Sequence, residues 1–346
     1  MSSPADATLT LPKRLDLDGA LSAAAALRAL PAMERYRLDF SEIKFVEPFG
    51  MLFFATVLRQ FRRCNSMIRF VADGYKQHHY PAHMGFFKAF GLDFGKEPGE
   101  AAGNTQYVPI TPLAVEELRR EAINNHEDER ETIERRAIGL ATLLTRQDFG
   151  PLQETLSYSL REIFRNVLEH SGADTIWYTA QYWPEKCAVE LCILDEGIGI
   201  GQSLRRNPHL TVQSDHDAID FALLPGISGV AFRGGPKQRK DPWANSGYGL
   251  FMTSQLCRRG GSFVAISGNG GVRISEAGEE RLDCRMDGTA IRLQLQTDRI
   301  GSLGASLEEL RNLGAKIAGD LRQEANITAS LSSRMLFGSN GNSRRN

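Results

Sequence analysis

Two residues one helical turn apart, Glu162 and Asn166, have types and a spacing that could do chemistry. A glutamate can take a proton from a water or a hydroxyl, and an asparagine amide oxygen can ligate a hydrated Mg2+. At about 100° per residue they fall in one row with His170, on the flank of an apolar stripe formed by Leu156, Leu160, Ile163, Phe164, Val167 and Leu168. Arg161, Arg165 and Glu169 lie further round the same helix, toward solvent. Glu-x-x-x-Asn occurs in many helices that do nothing of the kind, so the pair takes its meaning from the residues downstream of it. Asp195 closes an apolar stretch and is followed by Gly197 and Gly199. A carboxylate at a strand end can accept a hydrogen bond from an exocyclic amine, and glycines let a planar ring approach the backbone. Gly247 and Gly249 then open an apolar helix that runs through Leu250, Phe251, Met252 and Leu256. The N–H groups at such a helix start suit an anion such as phosphate. Further on, Asp287-Gly288-Thr289 leads into a last apolar strand.

The elements that must position these residues are read from pattern. Strands are expected over 175–182 and 188–194, the second alternating Val189, Leu191 and Ile193 with Glu190 and Cys192. Two more are expected over 262–267 and 290–295. Upstream, a strand within 8–17, an Ala-rich helix over 21–30, a strand over 36–40, an apolar helix over 49–63 and a strand over 67–72 describe a small α/β unit. His78, His79 and His83 read as a three-histidine loop, because Pro81 breaks any helix that would align them and no carboxylate or cysteine accompanies them. From 112 to 146 the chain is densely charged and helical, with Leu118, Ile133, Leu140 and Leu144 as a narrow contact face, suited to connect domains or to pair with a second subunit. His126-Glu127 is too close to Glu162 for the acceptor hairpin of a sensor histidine kinase. Residues 217–224 read as a short helix, and Arg233, Lys237, Arg239 and Lys240 lie in a Gly-rich run beyond it, either near a ligand's phosphates or simply solvated. A helix over 302–322 carries an amphipathic stripe that fits core packing better than subunit pairing. The Ser-, Asn-, Gly- and Arg-rich end is expected to be disordered.

Composition narrows the class. Lys plus Arg number 41 against 42 Asp plus Glu, so no basic field indicates nucleic acid. Five scattered cysteines without a Cys-x-x-Cys read as reduced thiols. The N-terminus lacks the order of a signal peptide, and no run approaches the ~20 apolar residues needed to span a bilayer. A cytoplasmic protein without a membrane segment is expected.

With these residues in place, the chain is similar to the GHKL ATPase superfamily, whose members include histidine kinases, anti-sigma-factor kinases, type II topoisomerases and mismatch-repair ATPases. Four signatures stand in the family's order: Glu162-x-x-x-Asn166, Asp195-x-Gly197-x-Gly199, Gly247-x-Gly249 and Gly288-Thr289. No Walker A sequence is present, as in that family. The resemblance implies a Bergerat-type α/β sandwich holding ATP and Mg2+. Asp195 would bind the adenine amine with Thr289 nearby, Asn166 would ligate Mg2+, and Glu162 would orient or deprotonate the nucleophile. Gly197, Gly199, Gly247 and Gly249, with Leu250 beside them, would surround base and phosphates. His170 would be either a wall of the site or a cap for the helix C-terminus. More loosely, the stretch from Leu38 to Gly50 resembles the STAS domain of anti-sigma-factor antagonists. The phosphorylatable Ser or Thr of those proteins is missing from Glu47-Pro48-Phe49-Gly50, which implies docking or sensing.

The expected organisation is a STAS-like α/β domain over 1–105, a charged helical connector over 106–148, a GHKL ATP-binding domain over 149–297 with a lid over about 201–246, an amphipathic helix over 298–325 and a disordered tail over 326–346. The leading expectation of function is a Mg-ATP-dependent regulatory ATPase that switches contacts with a partner protein, through the STAS-like domain or within a homodimer. A protein serine/threonine kinase of the anti-sigma-factor type and a non-catalytic ATP sensor are the alternatives.

Overall fold

The structure is a computed structural model that describes residues 7–227 and 248–323. It is mixed α/β and divides into two compact units. The first takes the described residues up to Leu113 together with Trp177–Trp183 and Glu190–Leu194, and the second takes the remainder.

In the first unit, strands β1 (Ala7–Thr10), β2 (Arg14–Leu15), β3 (Arg35–Asp39), β4 (Phe45–Val46) and β5 (Arg69–Asp73) alternate with helices α1 (Leu17–Arg28) and α2 (Pro48–Cys64). The strands β1, β3 and β5 form a parallel sheet in the order β1-β3-β5, and β2 pairs with β4. Asp16 starts α1 by accepting a hydrogen bond from the Gly19 N–H at 3.1 Å. Helix α2 is apolar all round and accordingly buried along most of its length, from Pro48 to Leu58. Two short helices follow, α3 (His79–His83) and α4 (Phe86–Ala89), then strand β6 (Tyr107–Ala114). The histidine stretch is therefore a helix where a loop is expected. Pro81 sits in its first turn, where a missing N–H breaks no helical bond. His78 bonds the Phe40 carbonyl at 2.8 Å and His83 the Tyr107 hydroxyl at 3.0 Å, and no metal-binding group of His, Cys, Asp or Glu occurs among the described residues.

The second unit contains α5 (Val115–Asn125), α6 (Glu129–Thr145), α7 (Pro151–Asn166), and parts of β7 (Thr175–Trp183) and β8 (Ala188–Asp195). It continues with α8 (Gly199–Leu204), α9 (Asp215–Ala222), α10 (Gly249–Gly260), β9 (Gly261–Gly268), β10 (Gly270–Ser275), β11 (Gly278–Leu282), β12 (Met286–Gln296), α11 (Ile300–Ala305) and α12 (Leu307–Gln323). A seven-stranded sheet has the order β11-β10-β9-β12-β8-β7-β6, and its β11-β10, β10-β9 and β9-β12 pairs are antiparallel. Strand β6 occupies sequence that reads as the approach to a helix. Its Pro109 and Pro112 are tolerated because it is an edge strand.

The charged stretch is two helices, broken at His126 with φ 56°. Its charges staple the pair: Arg135 contacts Glu127 at 2.6 Å and Glu121 at 2.7 Å, and Arg136 contacts Glu121 at 2.6 Å. The C-terminal stripe packs inward, with Leu303, Leu307, Leu310, Ile317 and Leu321 buried, and it breaks at Ser306 into α11 and α12.

Strand β8 is buried at every position, so the alternation of Val189, Leu191 and Ile193 with Glu190 and Cys192 marks two covered faces and no solvent side. Glu190, which is fully buried, accepts the Phe49 N–H at 2.8 Å within the first unit. Pro48 supplies no N–H, α2 has no side-chain cap of its own, and its first turn holds no acidic residue, so Glu190 serves as the anion at that helix N-terminus. Replacing Glu190 with Ala is expected to cost about 2 kcal/mol of stability, the usual consequence of orphaning a buried donor. Glu190→Gln should recover most of that loss. Denaturant midpoints, with hydrogen exchange at the Phe49 amide, provide the check; unchanged exchange in the Ala variant would contradict this role.

Candidate functional site

Helix α7 starts at Pro151, whose fixed φ suits the first helical position, and gives way after Asn166 to one π turn, Val167–Ser171, closed by Gly172 at φ 66°. Glu162 is on a buried face, 4% exposed, while Asn166 is exposed. Arg165 is buried, contrary to its expected place toward solvent, and Arg161 is half-buried. The α5–α6 pair covers that flank: Arg165 and Leu168 line a cavity of about 540 Å3 with Ile123, Ile133 and other residues of the pair, and Arg161 reaches Glu134 at 3.5 Å. Sequence periodicity finds the apolar stripe of a helix but not a second cover made by a charged helix pair. The backbone of His170 lies in the π turn, and its side chain is outside the described residues.

The end of this helix meets the first glycine pair. The Ser171 carbonyl accepts the Ile198 N–H at 2.8 Å, and a Cβ on Gly197 would come within 2.2 Å of that same carbonyl oxygen. Across from it, Gly288 has φ 101° and a Cβ there would stand 2.0 Å from the Asp195 carbonyl oxygen. Both glycines are thus required by the packing of the chain on itself, before any ligand is considered. Gly199 opens α8.

Asp195 is 2% exposed, and its Oδ1 accepts the Gly197 N–H at 2.8 Å. Burial pushes its carboxyl up to about 6, against the pull of the Gly197 N–H; neighbouring Glu196 adds to the rise, and a hydrogen bond from Thr289 opposes it. Ser267 ties these pieces together. Its Oγ donates to the Gly288 carbonyl at 2.8 Å, accepts the Ile200 N–H at 2.8 Å and lies 3.4 Å from the Thr289 hydroxyl. Sequence reading passes over Ser267; its one signal is a polar residue ending an apolar strand immediately before Gly268.

Compared with known proteins, the chain matches no family model and no curated relative. The site therefore has to be read from its own geometry.

A second cluster surrounds Glu162. Its Oε2 accepts the Tyr248 N–H at 3.1 Å and the Gly249 N–H at 2.9 Å, and its Oε1 accepts the Tyr158 hydroxyl at 2.7 Å. The helix α10 has no side-chain cap of its own, so Glu162 fills that place. Those N–H groups, expected from sequence to face a phosphate, bond a carboxylate of the chain itself. Leu250 follows on α10 and is half-buried. Asp195, Gly197, Gly199 and Thr289 are thus gathered in one place, and Glu162 with Gly249 in another. Gly247, Arg233, Lys237, Arg239 and Lys240 lie outside the described residues.

The raised carboxyl of Asp195 makes a prediction about pH. Below its ordinary value of 3.8 it is protonated in folded and unfolded chains alike. Between 3.8 and about 6 the unfolded chain ionises first, so the folded state loses stability as pH rises. The loss is complete above about 6 and amounts to roughly 3 kcal/mol. Asp195→Asn keeps an acceptor for Gly197 without the charge. It should be more stable than the parent at neutral pH by up to that amount, with the difference vanishing near pH 4. Unfolding free energies of both proteins across this window test the assignment, and a difference independent of pH would refute it.

Proposed function

We propose that the second unit binds ATP with Mg2+ as a GHKL-type regulatory ATPase of Bergerat fold, and that the first is a STAS-like docking or sensing domain. The observation that carries this reading is Asp195: a buried carboxylate at the end of a central strand, oriented by the Gly197 N–H and Thr289 and kept at an energetic cost to the fold. A structural role alone would be better served by asparagine, whereas an acceptor for an exocyclic amine gains from charge. Thr289 and Ser267 extend the polar edge beside it.

Asn166, exposed one turn beyond Glu162, is the residue that would hold Mg2+. With no His, Cys, Asp or Glu cluster among the described residues to complete a metal site, the other ligands would be phosphate and water oxygens, as Mg2+ commonly takes. The ion when bound would neutralise phosphate charge. Glu162 would then take the proton of the attacking water. Among the described residues no helix is long and apolar enough to cross a membrane. Phe49, in the stretch that resembles the phosphorylated loop of STAS proteins, lies in the first turn of α2, fully buried with its N–H bonded, so a partner of the first unit would use another surface.

Incubation with γ-labelled ATP and Mg2+, with and without cell extract, tests the proposal. Label released as free phosphate is expected. Transfer to a protein hydroxyl would assign the anti-sigma-factor type of kinase in its place, and bound ATP without release would make the protein a sensor. Asp195→Asn should weaken ATP binding at least about tenfold, as loss of a charged hydrogen-bond acceptor does. ATP binding that is absent in the parent or unchanged in this variant would end the reading.

A further inference from the structure

We infer that Glu162 rests in a restrained position, held at the first turn of α10 by Tyr158 and two backbone N–H groups, and that it becomes a base only when an anionic ligand takes its place. The inference deepens the ATP reading and rests on it. A carboxylate acting as general base needs a free lone pair directed at the proton it takes. Here one oxygen accepts two backbone N–H groups and the other accepts a phenol at 2.7 Å, so both oxygens are engaged with donors.

The place it occupies is the one such a ligand would need. Helix α10 has 12 residues, and its first N–H groups, with the positive end of the helix dipole, favour an anion. Gly249 allows the close seating: a Cβ there would lie 2.8 Å from the Glu162 Cβ and 3.0 Å from the Ser159 carbonyl oxygen. Ser159 itself is fully buried with its Oγ unpartnered, and at three residues before Glu162 it lies on the same side of α7.

Tyr158 is thus a positioning residue. It lies one turn before Glu162 on α7, with the Arg161 guanidinium 4.9 Å from its ring centroid. At the other end of the contact, Tyr248 ties the first turn of α10 to α12 through a hydrogen bond from its hydroxyl to the Gly314 carbonyl at 3.3 Å. An anion that displaced Glu162 would therefore act on a helix start already braced by the C-terminal helix.

Competition between Glu162 and a ligand's phosphate separates ATP from adenosine, which has the base but no phosphate. Binding of both to the full-length protein with Mg2+ is measured for the parent, Tyr158→Phe and Glu162→Gln. The expected result is tighter ATP binding, about threefold in Tyr158→Phe and about tenfold in Glu162→Gln, given the usual strength of charged hydrogen bonds. Adenosine affinity should stay unchanged in both. Turnover should rise in Tyr158→Phe, where Glu162 is released, and disappear in Glu162→Gln. If ATP and adenosine affinities shift together, or ATP binding alone weakens, Glu162 is only a structural cap and the inference fails while the ATP reading stands. If no protein of the series binds ATP, both fail together. Should Glu162→Gln not fold, Tyr158→Phe decides alone, because it leaves the charge and both backbone hydrogen bonds in place.

Discussion

A carboxylate leaves water at a cost of several kcal/mol unless donors meet it in the interior. Among the described residues four carboxylates are buried: Asp220 is met by the Arg281 guanidinium at 2.7 Å, and the other three are met by backbone N–H groups. Glu190 takes the Phe49 N–H at the start of α2, Glu162 those of Tyr248 and Gly249 at the start of α10, and Asp195 that of Gly197 in the turn before α8. The first turn of a helix leaves its N–H groups without intrahelical partners, so each buried anion and each bare helix start answers the other. Neither α2 nor α10 has a side-chain cap from its own sequence neighbourhood. The joints of the fold are therefore long-range charge-assisted hydrogen bonds, 141 residues apart in one case and 87 in another.

The three are not equivalent. Glu190 is fully buried, and its bond from the Phe49 N–H fixes the start of α2 against β8. Asp195 is held by fewer donors than its charge could use, and burial keeps its carboxyl near 6. An under-satisfied buried carboxylate is a liability in a purely structural position and an asset beside a ligand that brings a donor. Glu162 is the opposite case, with donors on both oxygens. Under the proposed function this difference would separate an acceptor for a ligand's amine, Asp195, from a base, Glu162, whose oxygens are both engaged.

Much of this was legible in the sequence where periodicity and residue type act locally. The elements β3, α2 and β5 fall within two residues of their expected places because apolar patterning is a local signal, whereas α1 starts four residues earlier than expected, since Asp16, placed in a strand by the sequence reading, caps it. The gathering of Asp195, Gly197, Gly199 and Thr289 was anticipated only through the order of motifs, since nothing local in Thr289 points to Asp195. What escaped was set by tertiary cover. Arg165 is polar by type yet buried, because a charged helix pair packs over it; β6 contains two prolines yet pairs, because it is an edge. Ser267 escaped because a serine at a strand end looks like the start of a turn.

The glycines show most clearly where a motif and its physical cause part company. Read as a motif, Gly197, Gly249 and Gly288 make room for a nucleotide. Read from distances, each is fixed by contact with the chain: Ser171 against the first, Glu162 and Ser159 against the second, Asp195 against the third. Among the described residues Glu162 combines burial with hydrogen bonds at a helix start, and under the proposed function its partners at the first turn of α10 are the ones a ligand's phosphate would replace.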